Sequence, residues 1–193
     1  MLFRSLVFRK NLAETMKADI QAIPEYKIKT PLQRGIQLIK RHRDITFEQM
    51  DDKPATIILT TLAALSYNNE IDLVQAVTSV VNGMPTHITM KNGIPWVQNP
   101  VDPMENFADR WQDPKFPNRQ NDFHYWHKKL QNDLQTVLSC EDLDDVCELL
   151  IRMFGEKVTV PAVKRYKERV EAKPKIVSVA PSMIKPSNKP WGL

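Results

Sequence analysis

The sequence predicts a mainly α fold: a compact helical lobe with one small β-hairpin at about residues 86–98 and an extended C-terminal tail. Apolar residues recur at three- and four-residue spacing in successive segments, which is the helical period. Helix-start signals precede those segments, and a single Asn-Gly pair between two apolar-rich runs marks one hairpin. The 193 residues hold 5 glycines against 14 prolines, and neither G-x-G-x-x-G nor G-x-x-x-x-G-K-[ST] occurs, so two common phosphate-cradling loops are excluded. Hydrophobic residues at 42% and charged residues at 26% exclude a wholly disordered chain.

Residues 5–22 read as an amphipathic helix carrying Leu6, Val7, Leu12, Met16 and Ile20, ended by Pro24. Thr30-Pro31-Leu32-Gln33 is a capping box with proline at the first helical position, so a helix starts there. Its apolar stripe is Leu32, Ile36 and Ile39, surrounded by Arg34, Lys40, Arg41 and Arg43. Ala55 to Tyr67, after Pro54, is apolar almost all round and reads as a buried central helix, with a β-branched start that allows a short strand-like beginning. Asn69 to Asp72 caps a helix to about Val81, closed by Asn82-Gly83. Thr86–Met90 and Ile94–Gln98 flank Lys91-Asn92-Gly93 as a hairpin, with Pro95 on an edge.

Asp102-Pro103-Met104-Glu105 repeats the capping logic and predicts a short helix to about Trp111. After a loop holding Pro114 and Pro117, a long helix carries Phe123, Trp126, Leu130, Leu134 and Val137. Ser139 to Asp142 caps the next, with Leu143, Val146, Leu149, Leu150 and Met153 on one side and Gly155 at its end. Pro161 opens a last charged helix to about Glu171. The chain thus divides into an N-terminal helix and linker (1–29), the helical lobe (30–171) and a Pro/Lys-rich tail (172–193).

The net charge of +4 is uneven: +4 over residues 1–53, −4 over 54–171 and +4 over 172–193. The folded body is therefore neutral, which argues against a nucleic-acid partner and reads the basic tail as solvated. No run approaches the about 18 apolar residues of a membrane helix, and residues 1–10 lack a signal-peptide core. Cys140 and Cys147, read as lying on one helix, stand about 10 Å apart there at about 1.5 Å per residue, too far to pair. A cytoplasmic protein is the expectation.

Among possible chemical groups, Asp142 and Asp144 have the D-x-D pattern of metal-binding acids, but they fall in the first turn of a helix, where they complement its dipole. His124 and His127 share a helix face with no third ligand and read as part of a packed aromatic strip. Lys40, Arg41 and Arg43 cluster near a helix end and could grip phosphate or simply be solvated.

The run Leu32-Gln33-Arg34-Gly35-Ile36-Gln37-Leu38-Ile39-Lys40-Arg41-His42-Arg43-Asp44 resembles a signature of the cGAS/DncV-like nucleotidyltransferases, the CD-NTases that make oligonucleotide messengers in bacterial anti-phage CBASS systems. The resemblance continues through Ile57 to Ala64 and Tyr67 and through Asn99 to Trp111, covering about residues 20–170 in order, and the closing Lys189-Pro190-Trp191-Gly192 resembles a family ending. It implies the C-terminal helical lobe of such an enzyme. The G-S motif and the strand-borne acids of the N-terminal lobe are not in this sequence. By resemblance Lys40 contacts a donor triphosphate, Thr56 supplies a hydroxyl near the same phosphates, and Ile57 lies at the base-stacking position, where an aromatic side chain would stack better. Arg43 and Gln37 either face the cleft or are structural.

The implied ligands are nucleoside triphosphates, with Mg bound only through a separate N-terminal lobe. The implied role is therefore part of a cyclic-oligonucleotide synthase, inactive alone. CBASS accessory proteins could attach through the C-terminal tail. The competing expectation is a non-catalytic helical interaction module.

Overall fold

A computed structural model describes residues 29–50 and 52–171; the expected helix over 5–22 and the tail from 172 lie outside them. The structure is mainly helical with one two-stranded antiparallel hairpin, and it divides between Cys140 and Glu141 into two compact units.

In the first unit, α1 (Pro31–Thr46) starts as its sequence dictates. Thr30 Oγ1 accepts from the Gln33 amide at 3.2 Å, and Gln33 Oε1 accepts from the Thr30 amide at 3.0 Å. The buried face of α1 is Gly35, Ile39, His42 and Arg43, while Leu32 and Ile36 are only half-buried. Arg43, expected around the stripe with the other cations, is instead in the interior.

Helix α2 (Thr56–Ser66) is helical from its β-branched first turn and buries Ile58, Leu59, Leu62 and Ala63. The expected all-round burial is not observed: Ile57 and Leu65 are 48% and 45% exposed, because α1 and α3 pack on one side of the helix. Helix α3 (Leu73–Gly83) is capped by Asp72, whose carboxylate accepts from the Gln75 amide, and it packs on both α1 and α2. A β-carbon at Gly35 would stand 3.2 Å from Val77 Cγ2, so the glycine permits the close approach of α1 to α3.

A 3-10 turn (Met84–His87) occupies the start of the expected first strand, which shortens the hairpin to β1 (Thr89–Lys91) and β2 (Ile94–Trp96). Its turn places Asn92 at φ 52° and Gly93 at φ 77°, the left-handed pair that an Asn-Gly turn supplies.

The short helix expected from Asp102 does not form. Asp102 does cap locally, its carboxylate accepting from the Met104 amide. Glu105, however, turns to Asn99, and Asn106 is drawn into a bridge with Gln98. Tertiary hydrogen bonds outcompete a single local signal, and only a 3-10 turn (Asp109–Gln112) remains.

Helix α4 (Arg119–Ser139) closes the unit, burying Phe123, Trp126, His127 and Leu130 against α1 and α3. Cys140 is its C-cap rather than a member of the following helix.

The second unit is a helix pair. Asp142 caps α5 (Leu143–Phe154) by accepting from the Asp144 and Asp145 amides, and Gly155 ends it at φ 80°. Helix α6 (Glu156–Glu171) begins five residues before Pro161, the expected opener. Gly155 supplies the break, and its carbonyl accepts from the Val158 and Thr159 amides, so a turn already exists when the proline arrives. Thr159 Oγ1 donates to the Leu150 carbonyl at 3.0 Å, fastening the two helices.

Candidate functional site

The N-terminus of α2 is left open. Its N-cap, Ala55, offers no side-chain hydrogen bond, and its first turn has no acid. The first backbone amides of a helix lack intrahelical partners and sit at the positive end of its dipole, so an uncapped start such as this one is suited to an anion.

That start is fixed from behind by Arg43. The guanidinium is buried, with Nη1 donating to the Pro54 carbonyl at 3.0 Å and to Thr56 Oγ1 at 2.8 Å. Nε and Nη2 both donate to Asp44 Oδ1, at 3.1 and 2.8 Å. Lys53 Nζ donates to the same oxygen at 2.8 Å. Burial works against the Asp44 charge, but the hydrogen bonds from Lys53 and Arg43 outweigh it and hold the carboxyl below its usual range.

In front of α2 lies a groove of about 580 Å³. One wall is Lys53, Pro54, Ala55, Ile57 and Ile58, and the other comes from Trp96, Met104 to Phe107 and Asp109 to Trp111, with Arg119 at the foot of α4. Small-molecule sites span about 300–1,000 Å³, so the groove is of suitable size. Lys53, Arg110 and Arg119 bring cations to it, against Glu105 and Asp109, while Ile57, Trp96 and Phe107 supply flat or apolar surface.

Arg119 is clasped by Nε hydrogen bonds to both Asp52 oxygens, at 3.1 and 3.0 Å, and stacks on Phe116 with its guanidinium carbon 3.8 Å from the ring centre. Nearby Asp122 is pushed above the usual aspartate range by burial and by the Asp52 charge. Trp96 carries Lys91 Nζ over its ring at 4.1 Å.

The four site residues expected from sequence occupy different settings. Ile57 lines the groove, and Thr56 sits at the helix start, held by Arg43. Arg43 lies beneath them. Lys40, half-buried one turn earlier on α1, makes no hydrogen bond or ion pair among the described residues and does not line the groove.

Lys53, Trp96, Arg110 and Arg119 escaped the sequence reading, since they come from separate loops and converge only in the fold. Arg110 alone had a signal, because it lies inside the Asn99–Trp111 block.

Other expectations also find their places. His127 Nε2 donates to the Val81 carbonyl at 2.7 Å and its ring stacks on Phe123, while His124 lies against Trp111. Asp142 is occupied by helix amides. Among the described residues no group of three or more His, Cys, Asp or Glu stands close enough to hold a metal ion. Among the same residues no helix is long and apolar enough to cross a membrane.

No family model matches the chain. It is 34% identical over 165 residues to a c-di-GMP synthase of Roseivirga ehrenbergii, a stretch comprising 84% of this chain and 43% of that relative. It is 27% identical over 161 residues to the cyclic dinucleotide synthase CdnG of Bradyrhizobium diazoefficiens, covering 79% of this chain and 38% of the relative. The solved structure of the Bradyrhizobium diazoefficiens CD-NTase CdnG in complex with GTP matches 72% of this chain and 41% of its own, with a TM-score of 0.58. The chain belongs to the CD-NTase family. At 24% identity the structural match speaks for the CD-NTase fold alone. The chain spans less than half the length of the CD-NTase relatives it matches.

Proposed function

We propose that this chain is the C-terminal helical lobe of a CD-NTase that makes cyclic oligonucleotide messengers from nucleoside triphosphates in cytoplasmic anti-phage (CBASS) defence. The observation that carries the reading is the uncapped start of α2 beside a groove holding cations and flat apolar surface. Phosphates would meet the first amides of α2, the Thr56 hydroxyl and the ammonium group of Lys53, and Lys40, outside the groove lining, is the second lysine that the resemblance assigns to the triphosphate. The base would lie on the Ile57 side, with Trp96 and Phe107 opposite. Arg43 serves the same site from beneath.

Phosphoryl transfer is largely positioning and charge neutralisation, and this lobe supplies both for the triphosphate. Magnesium, bound by a separate N-terminal lobe, would supply activation of the attacking hydroxyl and neutralisation of the leaving group. In this reading residues 30–171 form the working lobe, and the tail 172–193 is the segment available to CBASS accessory proteins.

The test is a titration of the chain with GTP and ATP, followed by backbone amide shifts. Shifts concentrated at residues 56–58, weakened by Lys53→Ala and by Lys40→Ala, are expected. Incubation with magnesium and all four triphosphates should yield no cyclic product. An affinity for GTP indifferent to both substitutions would favour the alternative, a non-catalytic interaction module.

A further inference from the structure

We propose that Arg43 is a positioning residue: it presents the Thr56 hydroxyl and the first turn of α2 to a phosphate without touching the nucleotide. The inference rests on the nucleotide-binding reading of the groove and deepens it.

A guanidinium has five N–H donors. In Arg43, Nε, Nη1 and Nη2 together donate to the Pro54 carbonyl, Thr56 Oγ1 and Asp44 Oδ1, which occupies four of the five. The side chain is 6% exposed, so little of it can meet a ligand.

Thr56 Oγ1 accepts from Arg43, which leaves the hydroxyl its own hydrogen to donate. Among the described residues no acceptor takes that hydrogen, and the Thr56 residue is exposed. The hydroxyl is thereby set as an outward donor, the role a phosphate oxygen needs.

Helices are usually fixed at their start by a capping side chain, which consumes the early amides. Here the start is fixed through the Pro54 carbonyl and the Thr56 oxygen, and Ala55 consumes none of those amides. The helix end is therefore both rigid and open. Lysine could not reproduce this, because an ammonium lacks the planar fork that spans three acceptors.

The test compares wild type, Arg43→Lys, Thr56→Val, Thr56→Ser and the Arg43→Lys/Thr56→Val double variant, titrated with GTP and with inorganic tripolyphosphate, with thermal unfolding measured separately. Arg43→Lys and Thr56→Val should each weaken both ligands about tenfold, the double variant should lose less than the two single losses multiplied together, and Thr56→Ser should restore wild-type affinity. Unchanged affinity in Arg43→Lys, or losses that simply multiply in the double variant, overturns the proposal while leaving the nucleotide reading intact. A wild-type chain that binds neither ligand overturns both. Should Arg43→Lys fail to fold, the wild-type Arg43 Nε–H resonance decides. It should be protected from exchange before ligand is added and move little afterwards, and a shift as large as that of the Thr56 amide means direct contact and overturns the proposal.

Discussion

Gly83 closes α3 against Ser66, and a β-carbon there would stand 2.8 Å from Ser66 Cβ, closer than packing permits. Alanine normally favours a helix over glycine by about 1 kcal/mol, yet overpacking costs about 1–3 kcal/mol. Gly83→Ala should therefore lower stability to urea, and adding Ser66→Gly should recover most of the loss. At this scale the sequence was legible wherever a residue acts on its neighbours. Thr30 with Gln33, and Asp142 before its helix, do what their local pattern implies. Arg43 was not legible in the same way. Its partners Pro54 and Thr56 lie eleven and thirteen residues on, and only the α1–α2 packing makes it an interior group.

The far wall of the groove is held by one side chain. Asn106 Oδ1 accepts from the Val97 and Ala108 amides, and its Nδ2 donates to the Pro95 carbonyl, each at 2.9 Å. At about 0.5–1.5 kcal/mol net per hydrogen bond, Asn106→Ala should cost about 2–4 kcal/mol, measured by chemical denaturation. Amide exchange should rise first in residues 95–108. The hairpin it braces was readable because Asn92-Gly93 adopts a conformation few other pairs allow. The helix expected from Asp102 was misread because a capping box says nothing about the competing strand-like pairing of Gln98 with Asn106. Pro161 misled for a related reason: proline marks a helix's early turns without fixing which residue begins it.

Across the first unit, two buried histidines tie stability to pH. Burial pushes His42 below the usual value of 6.5 despite its 2.9 Å contact with Asp133, so the imidazole is neutral at pH 7 and Nε2 donates to that carboxylate. Burial likewise lowers His127. The unfolded chain then binds protons more readily than the folded one just below pH 6.5, so stability is fully present above that pH and lost as pH falls through it. The melting temperature should drop between pH 7.5 and 5.5, with a shallower drop in His42→Asn. The helical class and the family signature were legible at this scale, because both are carried by long runs of local pattern. The groove was not, because its cations and rings come from loops far apart in the chain.

The carboxylate shared between a buried arginine and an exposed lysine has a consequence for ionic strength. The Lys53 arm, its side chain 43% exposed, is open to screening, whereas the Arg43 arm is sheltered from it. Added salt would loosen the lysine from Asp44 and free it for an incoming anion while weakening that anion's attraction to every exposed cation. The two effects oppose one another, so affinity for a polyphosphate should decline with salt less steeply than the number of cations around the groove suggests.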